Sequence, residues 1–409
     1  MNGKYPVRVA DLRGYSRLAI DATVGLTSLV ETMHHNILRM PGVLGEATGE
    51  PTRGLTGLVY KSIRGVTRLV GSGIDLTLGR LQTLLGSETS TVEREAILAA
   101  LNGVLGDYLS TSGNPLAISM RFRRGGKPLT LTRSALAAAI PDASHKVVLL
   151  AHGLCMNDLQ WRRKGHDHGA ALAADAGFTP VYLHYNSGLH ISTNGRAFAE
   201  RIEALLWVWP VRVNQVAILA HSMGGLVARS ACHYGERAGH SWRRRLDTLI
   251  CLGTPHLGAA LERGGNWVDR ILDASPYTTA FARLGKIRSA GITDLRHGNV
   301  IDEDWEHRDR FARSRQQRPV VPLPESVKCY AIAASIAKRR GKLADNLLGD
   351  GLVAIASALG QDPRGQRNLA FPTRRQWIGQ GMNHMDLLDR GEVYAQIRRW
   401  LSEPQRQAT

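Results

Sequence analysis

The sequence predicts an α/β domain with a mostly parallel central sheet and helices on both of its faces. Three observations lead there. From about residue 145 onward, short apolar runs of strand length alternate with segments of helical spacing. The runs are apolar nearly throughout, as strands buried on both faces must be. They also end in small-residue turns, "AHG" at 151–153, "HSMGG" at 221–225 and "LGTP" at 252–255.

The elements follow in order. "HKVVLLAHG" (145–153) reads as a buried strand ending in a glycine turn, and "FTPVYLHYN" (178–186) as a second. "GRAFAERIEALLWVWP" (195–210) is an amphipathic helix stopped by Pro210. "NQVAILAHS" leads to a strand-to-helix turn, and "LDTLICLGTPH" (246–256) and "VKCYAIAASI" (327–336) are further strands. "GEVYAQIRRWLSEP" (391–404) closes the chain as a helix. The rhythm lapses between about 260 and 325, where moderately apolar helical sequence precedes the charged run "DEDWEHRDRFARSRQQR". This stretch is expected to be a cap or lid inserted over the C-terminal edge of the sheet, where α/β domains place their sites.

Residues 1–140 carry no alternating strand pattern and are expected to form an α-helical N-terminal region, with the α/β domain at 141–405. In residues 55–85, Val59, Val70 and Leu81 recur at an 11-residue step, as do Ile63, Ile74 and Leu85. Lys61, Arg64 and Arg68 fall opposite that stripe. Glycines at 57, 65, 71, 73 and 79 make this a poor isolated helix, so something must hold it. A basic face opposite Leu, Val and Ile suits an anionic membrane, a lipid droplet or a granule surface. Packing against the chain's own helices at about 20–38 and 92–109 is the alternative.

The 409 residues are 43% hydrophobic and 21% charged, a globular composition long enough for one large domain and an accessory region. The net charge of +17 favours polyanions and anionic lipid surfaces without specificity. Zinc-finger spacing, a recognition-helix signature and RNA-binding aromatic motifs are all missing, so no specific nucleic-acid partner is expected. No secretory signal is read at the N-terminus, and no stretch of about 18 apolar residues reads as a membrane span. Cys155, Cys232, Cys251 and Cys329 show no metal-ligand spacing and read as reduced core thiols. The expected location is cytoplasmic, peripheral at a lipid surface if the N-terminal helices bind one.

Chemistry concentrates at "AILAHSMGGLV" (217–227). An apolar strand runs into Ser222, two glycines form the turn, and Leu226, Val227 and Ala231 continue at helical spacing. Such a nucleophile elbow presents a strained serine clear of the sheet. A serine nucleophile needs a base, a carboxylate to orient it, and donors for the developing oxyanion. Downstream, His384 in "GQGMNHMDLL" lies in a loop after the strands and just before the final helix, and is the candidate base. His233, His240, His256, His297 and His307 are less suitably placed. In "LADNLLGDGLVAIASA" the Asp-Gly turn makes Asp350 the candidate acid over Asp345. The oxyanion donors are expected to be the backbone N–H groups of Met223, directly after the serine, and Leu154, in "AHGLCMND". His152 is expected to brace that loop, and His221 to face away from Ser222 Oγ.

Together "LLAHGL", "LAHSMGGLVAR", "LGTPHLGA", "DGLV" and "MNHMDLL" resemble the lipase and esterase branch of the α/β-hydrolase superfamily over about 145–400. They are similar to bacterial true lipases and to inositol-deacylase-like hydrolases, with Ala220 standing where the elbow motif usually has glycine. The resemblance implies the same Ser222, Asp350 and His384, with Leu154 and Met223 at the oxyanion. It implies a serine carboxylic-ester hydrolase that forms an acyl-enzyme on lipid-like or other acyl esters and needs no cofactor. Some such lipases hold a structural calcium, and Asp386 matches one ligand position. No second carboxylate matches, and a surface or helix N-terminal role suits Asp386 better. An acyltransferase with the same triad, an intracellular polyester or phospholipid hydrolase, and a non-catalytic lipid-binding protein are the alternative readings.

Overall fold

The structure is a computed structural model that describes residues 13–14, 16–21, 92–258, 289–306, 320–337, 349–362 and 365–403. The 55–85 stripe, Asp345 and most of the expected cap lie outside the described residues, as does the helix expected at 20–38 except for its first two positions. The chain divides into two compact units, one of residues 1–91 and 109–117, the other of 92–108 and 118–409. In the first, Asn114 Nδ2 donates to the Gly14 carbonyl at 3.1 Å and Arg17 Nη1 to the Gly113 carbonyl at 3.0 Å.

Among the described residues, the second unit is built on an eight-stranded sheet. Its strands are β1 (Arg121–Arg124), β2 (Lys127–Pro128), β3 (Lys146–Ala151), β4 (Thr179–His184), β5 (Gln215–His221), β6 (Leu246–Leu252), β7 (Lys328–Ser335) and β8 (Gln376–Gln380). Their order is β2-β1-β4-β3-β5-β6-β7-β8, parallel from β4 to β8, with β1 and β2 added antiparallel at one edge. The main helices are α1 (Val92–Thr111), α2 (Arg133–Ala139), α3 (His168–Ala176), α4 (Ile191–Trp207), α5 (Met223–Arg237), α6 (Ala290–His297), α7 (Ile355–Ala358) and α8 (Gly391–Leu401).

Alternation along the strands assigns side chains to two cores. Val147, Leu149 and Ala151 join Val216, Ile218 and Ala220 on one face, with α4 and α5. Val148 and Leu150 join Ala217, Leu219, Ile250 and Leu252 on the other, with α3 and α8. Both faces are therefore covered, which is why these strands read as unbroken apolar runs. All four cysteines are free and buried in these layers. Among the described residues no helix is long and apolar enough to cross a membrane.

The sheet starts earlier than the division expected at 140. In "RFRR" (121–124) the charges mask the strand pattern, yet Phe122 and Arg123 are both buried. Arg123 is tolerated there because Nη1 donates to Glu95 Oε2 at 2.7 Å and to Asp158 Oδ1 at 2.9 Å. The described part of the expected insertion is firmly packed. Asp294 of α6 is fully buried and accepts from His190 Nδ1, from the Ile191 N–H and from Asn299 Nδ2.

Candidate functional site

The site forms at the C-terminal ends of β3, β5, β6 and β7. Ser222 sits between β5 and α5 with φ 54° and ψ −124°, a backbone conformation that costs a non-glycine residue about 1–3 kcal/mol. The surroundings hold it there. Its N–H donates to the Leu252 carbonyl at 2.8 Å, and its carbonyl accepts from the Gly225 N–H at 3.0 Å. Gly224 cannot carry a side chain: a Cβ would stand 2.4 Å from the Ala151 oxygen and 2.6 Å from the His152 oxygen. Helix α5 can start tight against β3 only because that carbon is absent.

His384 opens a short 3₁₀ turn, His384–Leu388, after β8. Asn383 caps the turn by accepting from the Met385 and Asp386 N–H groups, and Asp386 reciprocates by accepting from the Asn383 N–H at 3.0 Å. Asp386 thus has the helix N-terminal role, with Lys164 at 3.4 Å. Among the described residues no group of three or more His, Cys, Asp or Glu side chains is placed to hold a metal.

Asp350 and His384 meet. Asp350 Oδ2 accepts from His384 Nδ1 at 2.6 Å, and the Asp350 carbonyl accepts from the His384 N–H at 3.1 Å. The second carboxylate oxygen, Oδ1, accepts from the backbone N–H groups of Leu352 at 2.9 Å and Val353 at 2.7 Å. Both side chains are buried. The flanking Gly349 (φ 47°) and Gly351 (φ 92°) make the sharp loop that the Asp-Gly signal predicted. The imidazole lies over the end of β6, where a Cβ on Gly253 would stand 3.0 Å from both Cε1 and Nδ1 of His384. Since Ser222 N–H bonds the residue before Gly253, the histidine and the elbow share one strand end. The Ser222 hydroxyl makes no hydrogen bond to His384; such contacts often close only when substrate is bound.

Leu154 and Met223 flank the serine. Met223 is the first residue of α5, so its N–H has no partner within the helix. Leu154 lies in the loop after β3, where Gly153 passes so close that a Cβ there would stand 3.0 Å from Ser222 Cβ. Among the described residues neither amide has an acceptor. The loop is braced from behind: His152 Nδ1 donates to the Gly153 carbonyl at 2.9 Å, its ring stacks on Tyr185 at 4.3 Å, and Tyr185 Oη donates to the His152 carbonyl. Burial pushes the His152 imidazole down to about 3, so it stays neutral.

His221, next to the serine in sequence, has a task the sequence did not reveal. Its Nε2 donates to the His384 carbonyl at 3.2 Å, the two rings lying 4.6 Å apart. Burial first, then the neighbouring His384, hold it well below the usual histidine range, so the brace is a neutral imidazole. Ser187 was also missed: its Oγ accepts from the Cys155 N–H at 3.0 Å and pins the residue after Leu154. A serine after a strand carries no distinctive signal for such a partner.

A parallel sheet in this order, with a strained serine between its fifth strand and the next helix, defines an α/β-hydrolase fold. Residues 142–322 match the family described as PGAP1-like alpha/beta domain, and the chain resembles the lipase and esterase branch of the α/β-hydrolases. Similar solved structures include a Bacillus licheniformis lipase, BlEst2, in mature form (16% identity, TM-score 0.40, covering 63% of this chain and 91% of that one). Aspergillus fumigatus lipase B is 15% identical with a TM-score of 0.37, covering 68% of this chain and 59% of that one. An epoxide hydrolase from Vigna radiata, VrEH1, is 14% identical with a TM-score of 0.36, covering 64% and 94%. No curated protein matches the chain.

Proposed function

We propose that the protein is a serine carboxylic-ester hydrolase acting through an acyl-enzyme. The observation that carries this is the 2.6 Å hydrogen bond from His384 Nδ1 to buried Asp350, at the strand end beside the strained Ser222. With Nδ1–H given to Asp350, His384 Nε2 is the unprotonated nitrogen and can take a proton. Ser222 Oγ attacks the ester carbonyl while His384 Nε2 accepts the hydroxyl proton, and Asp350 stabilises the imidazolium. The Leu154 and Met223 N–H groups receive the carbonyl oxygen as it becomes negative. Collapse expels the alcohol, protonated by His384, and leaves the acyl group on Ser222. Water, activated by the same histidine, then releases the acid and restores the serine.

Acyl esters of lipid type are the proposed substrates, met at an anionic lipid surface bound through the basic N-terminal region, in the cytoplasm or peripheral to a membrane. Hydrolysis of p-nitrophenyl esters from C2 to C16 by wild type and Ser222→Ala, with and without anionic liposomes, tests both parts. Ser222-dependent turnover that favours long chains and rises on liposomes supports the full reading. A preference for C2 to C4 that is indifferent to lipid removes the surface. Equal rates for the two proteins remove the nucleophile.

A further inference from the structure

Helix α1 precedes the segment that matches the known family, and the dyad and elbow make no use of it. Yet it runs along the loop that carries Leu154 and touches it repeatedly. Near its start, Glu95 shares the Arg123 guanidinium with Asp158, which lies just beyond that loop. Further along, the Ala100 carbonyl accepts from Cys155 Sγ at 3.8 Å. At Gly103 the helix comes so close that a Cβ would stand 2.2 Å from Cys155 Sγ and 3.0 Å from both Cα and N of that residue. Gly106 then accepts from Asn186 Nδ2 at 2.9 Å, and Asn186 Oδ1 in turn accepts from the Gly188 N–H at 3.0 Å. Ser187, between them, holds the Cys155 N–H.

Cys155 needs this support. Its φ of 58° is a conformation that side chains other than glycine, asparagine and aspartate seldom adopt, and it persists only where neighbours enforce it. Ser187 fixes the peptide plane between Leu154 and Cys155, and α1 closes the space behind the sulfur. The preceding plane, which carries the Leu154 N–H, is thereby left aimed where no protein acceptor takes it.

We propose that α1 is a positioning element for the oxyanion donor Leu154, and that Gly103 is the residue through which it acts. This rests on the reading of Ser222, Asp350 and His384 given above. In an ordinary helix interior, Gly→Ala is stabilising. Here the added methyl meets Cys155, so a filler role for α1 predicts that Gly103→Ala lowers the melting temperature and leaves kcat unchanged. On the positioning role the new methyl displaces Cys155 and with it the Leu154 amide. Complete loss of one such donor costs about 10²–10³-fold in kcat, so partial displacement is expected to cost about tenfold or more.

The experiment measures kcat and KM for p-nitrophenyl butyrate, and inhibition by butylboronic acid, for wild type, Gly103→Ala, Cys155→Ala and the double variant. The expected result is a kcat fall in Gly103→Ala with KM within about twofold. Boronate affinity should fall alongside kcat, because the tetrahedral adduct uses the same donors. Removing the Cys155 sulfur should restore part of that loss, so that the double variant is faster than Gly103→Ala alone. Unchanged kcat in a folded Gly103→Ala overturns the proposal, as does a double variant no better than the single. If Gly103→Ala fails to fold, the double variant decides, and loss of fold in both overturns a specific role. Ser222→Ala with wild-type hydrolysis would instead refute the triad reading itself, a distinguishable failure.

Discussion

Asparagine in place of Asp350 should leave the fold intact and disable the base, and the geometry says why. An amide has one acceptor oxygen and one donor nitrogen, so the two ends of the side chain can no longer do the same work. Oδ1 faces two backbone donors, Leu352 N–H at 2.9 Å and Val353 N–H at 2.7 Å, while Oδ2 faces one, His384 Nδ1. Turning the NH₂ toward the backbone would leave the buried Val353 amide without an acceptor, at about 1–3 kcal/mol, and the half-buried Leu352 amide as well. The amide oxygen therefore stays with Leu352 and Val353, and the NH₂ meets His384 Nδ1. The imidazole must then accept at Nδ1 and carry its proton on Nε2, where it cannot receive the Ser222 proton. The equivalent change in the serine-protease triad lowers kcat by about 10⁴-fold, or about 5.5 kcal/mol. The assay compares kcat for p-nitrophenyl butyrate between pH 6 and 9 in wild type and Asp350→Asn, with thermal unfolding followed by circular dichroism. A folded Asp350→Asn within tenfold of wild type would refute the tautomer argument.

Three further outcomes are expected. Burial holds the imidazoles of His152 near 3 and His168 near 4, so both are neutral when folded and protonate on unfolding below about pH 6.5. The unfolded chain then binds more protons, stability is lost as pH falls, and between pH 7 and 5 each site should cost about 2 kcal/mol, or about 4 together. Urea unfolding at the two pH values checks this, and His221, shifted the same way, adds to it. Gly224→Ala should destabilise by about 1–3 kcal/mol and abolish turnover, because its methyl meets two backbone oxygens that cannot move aside; melting temperature and esterase rate report both. Arg123→Met should cost about 3–5 kcal/mol at pH 7 in chemical denaturation, since Glu95 and Asp158 lose the guanidinium they share, and less at pH 4, where carboxylates neutralise.

What could be read from sequence was whatever has a local cause. The parallel strands announce themselves because burial on both faces demands an apolar residue at nearly every position, and β3 to β7 fall where those runs lie. The elbow was legible because a serine forced to positive φ between a strand and a helix needs small neighbours, and Gly224 and Gly225 supply them. The Asp350 loop was legible through its Asp-Gly turn. The unread features are those whose cause is distant in the chain. β1 is hidden because its inward Arg123 is neutralised by Glu95 and Asp158, 28 and 35 residues away. β8 is hidden because "QWIGQ", at the sheet's other edge, is only half-buried. His221 serves His384 across 163 residues, a partnership no local pattern encodes.

Glycine shows the same division within one residue type. In the turns its use is local, a backbone angle, and can be recognised from neighbouring residues. In α1 it looks like a defect, since Gly103 and Gly106 lower helix propensity with no turn to excuse them. The structure supplies the reason: each stands where another segment of the site needs the space of a side chain, Cys155 Sγ against one and Asn186 Oδ1 against the other. A glycine that weakens its own helix is then best understood by asking which segment lies against it. Here the answer for both leads to the loops around Leu154, so the helix's lost propensity and the proposed oxyanion geometry have a common origin.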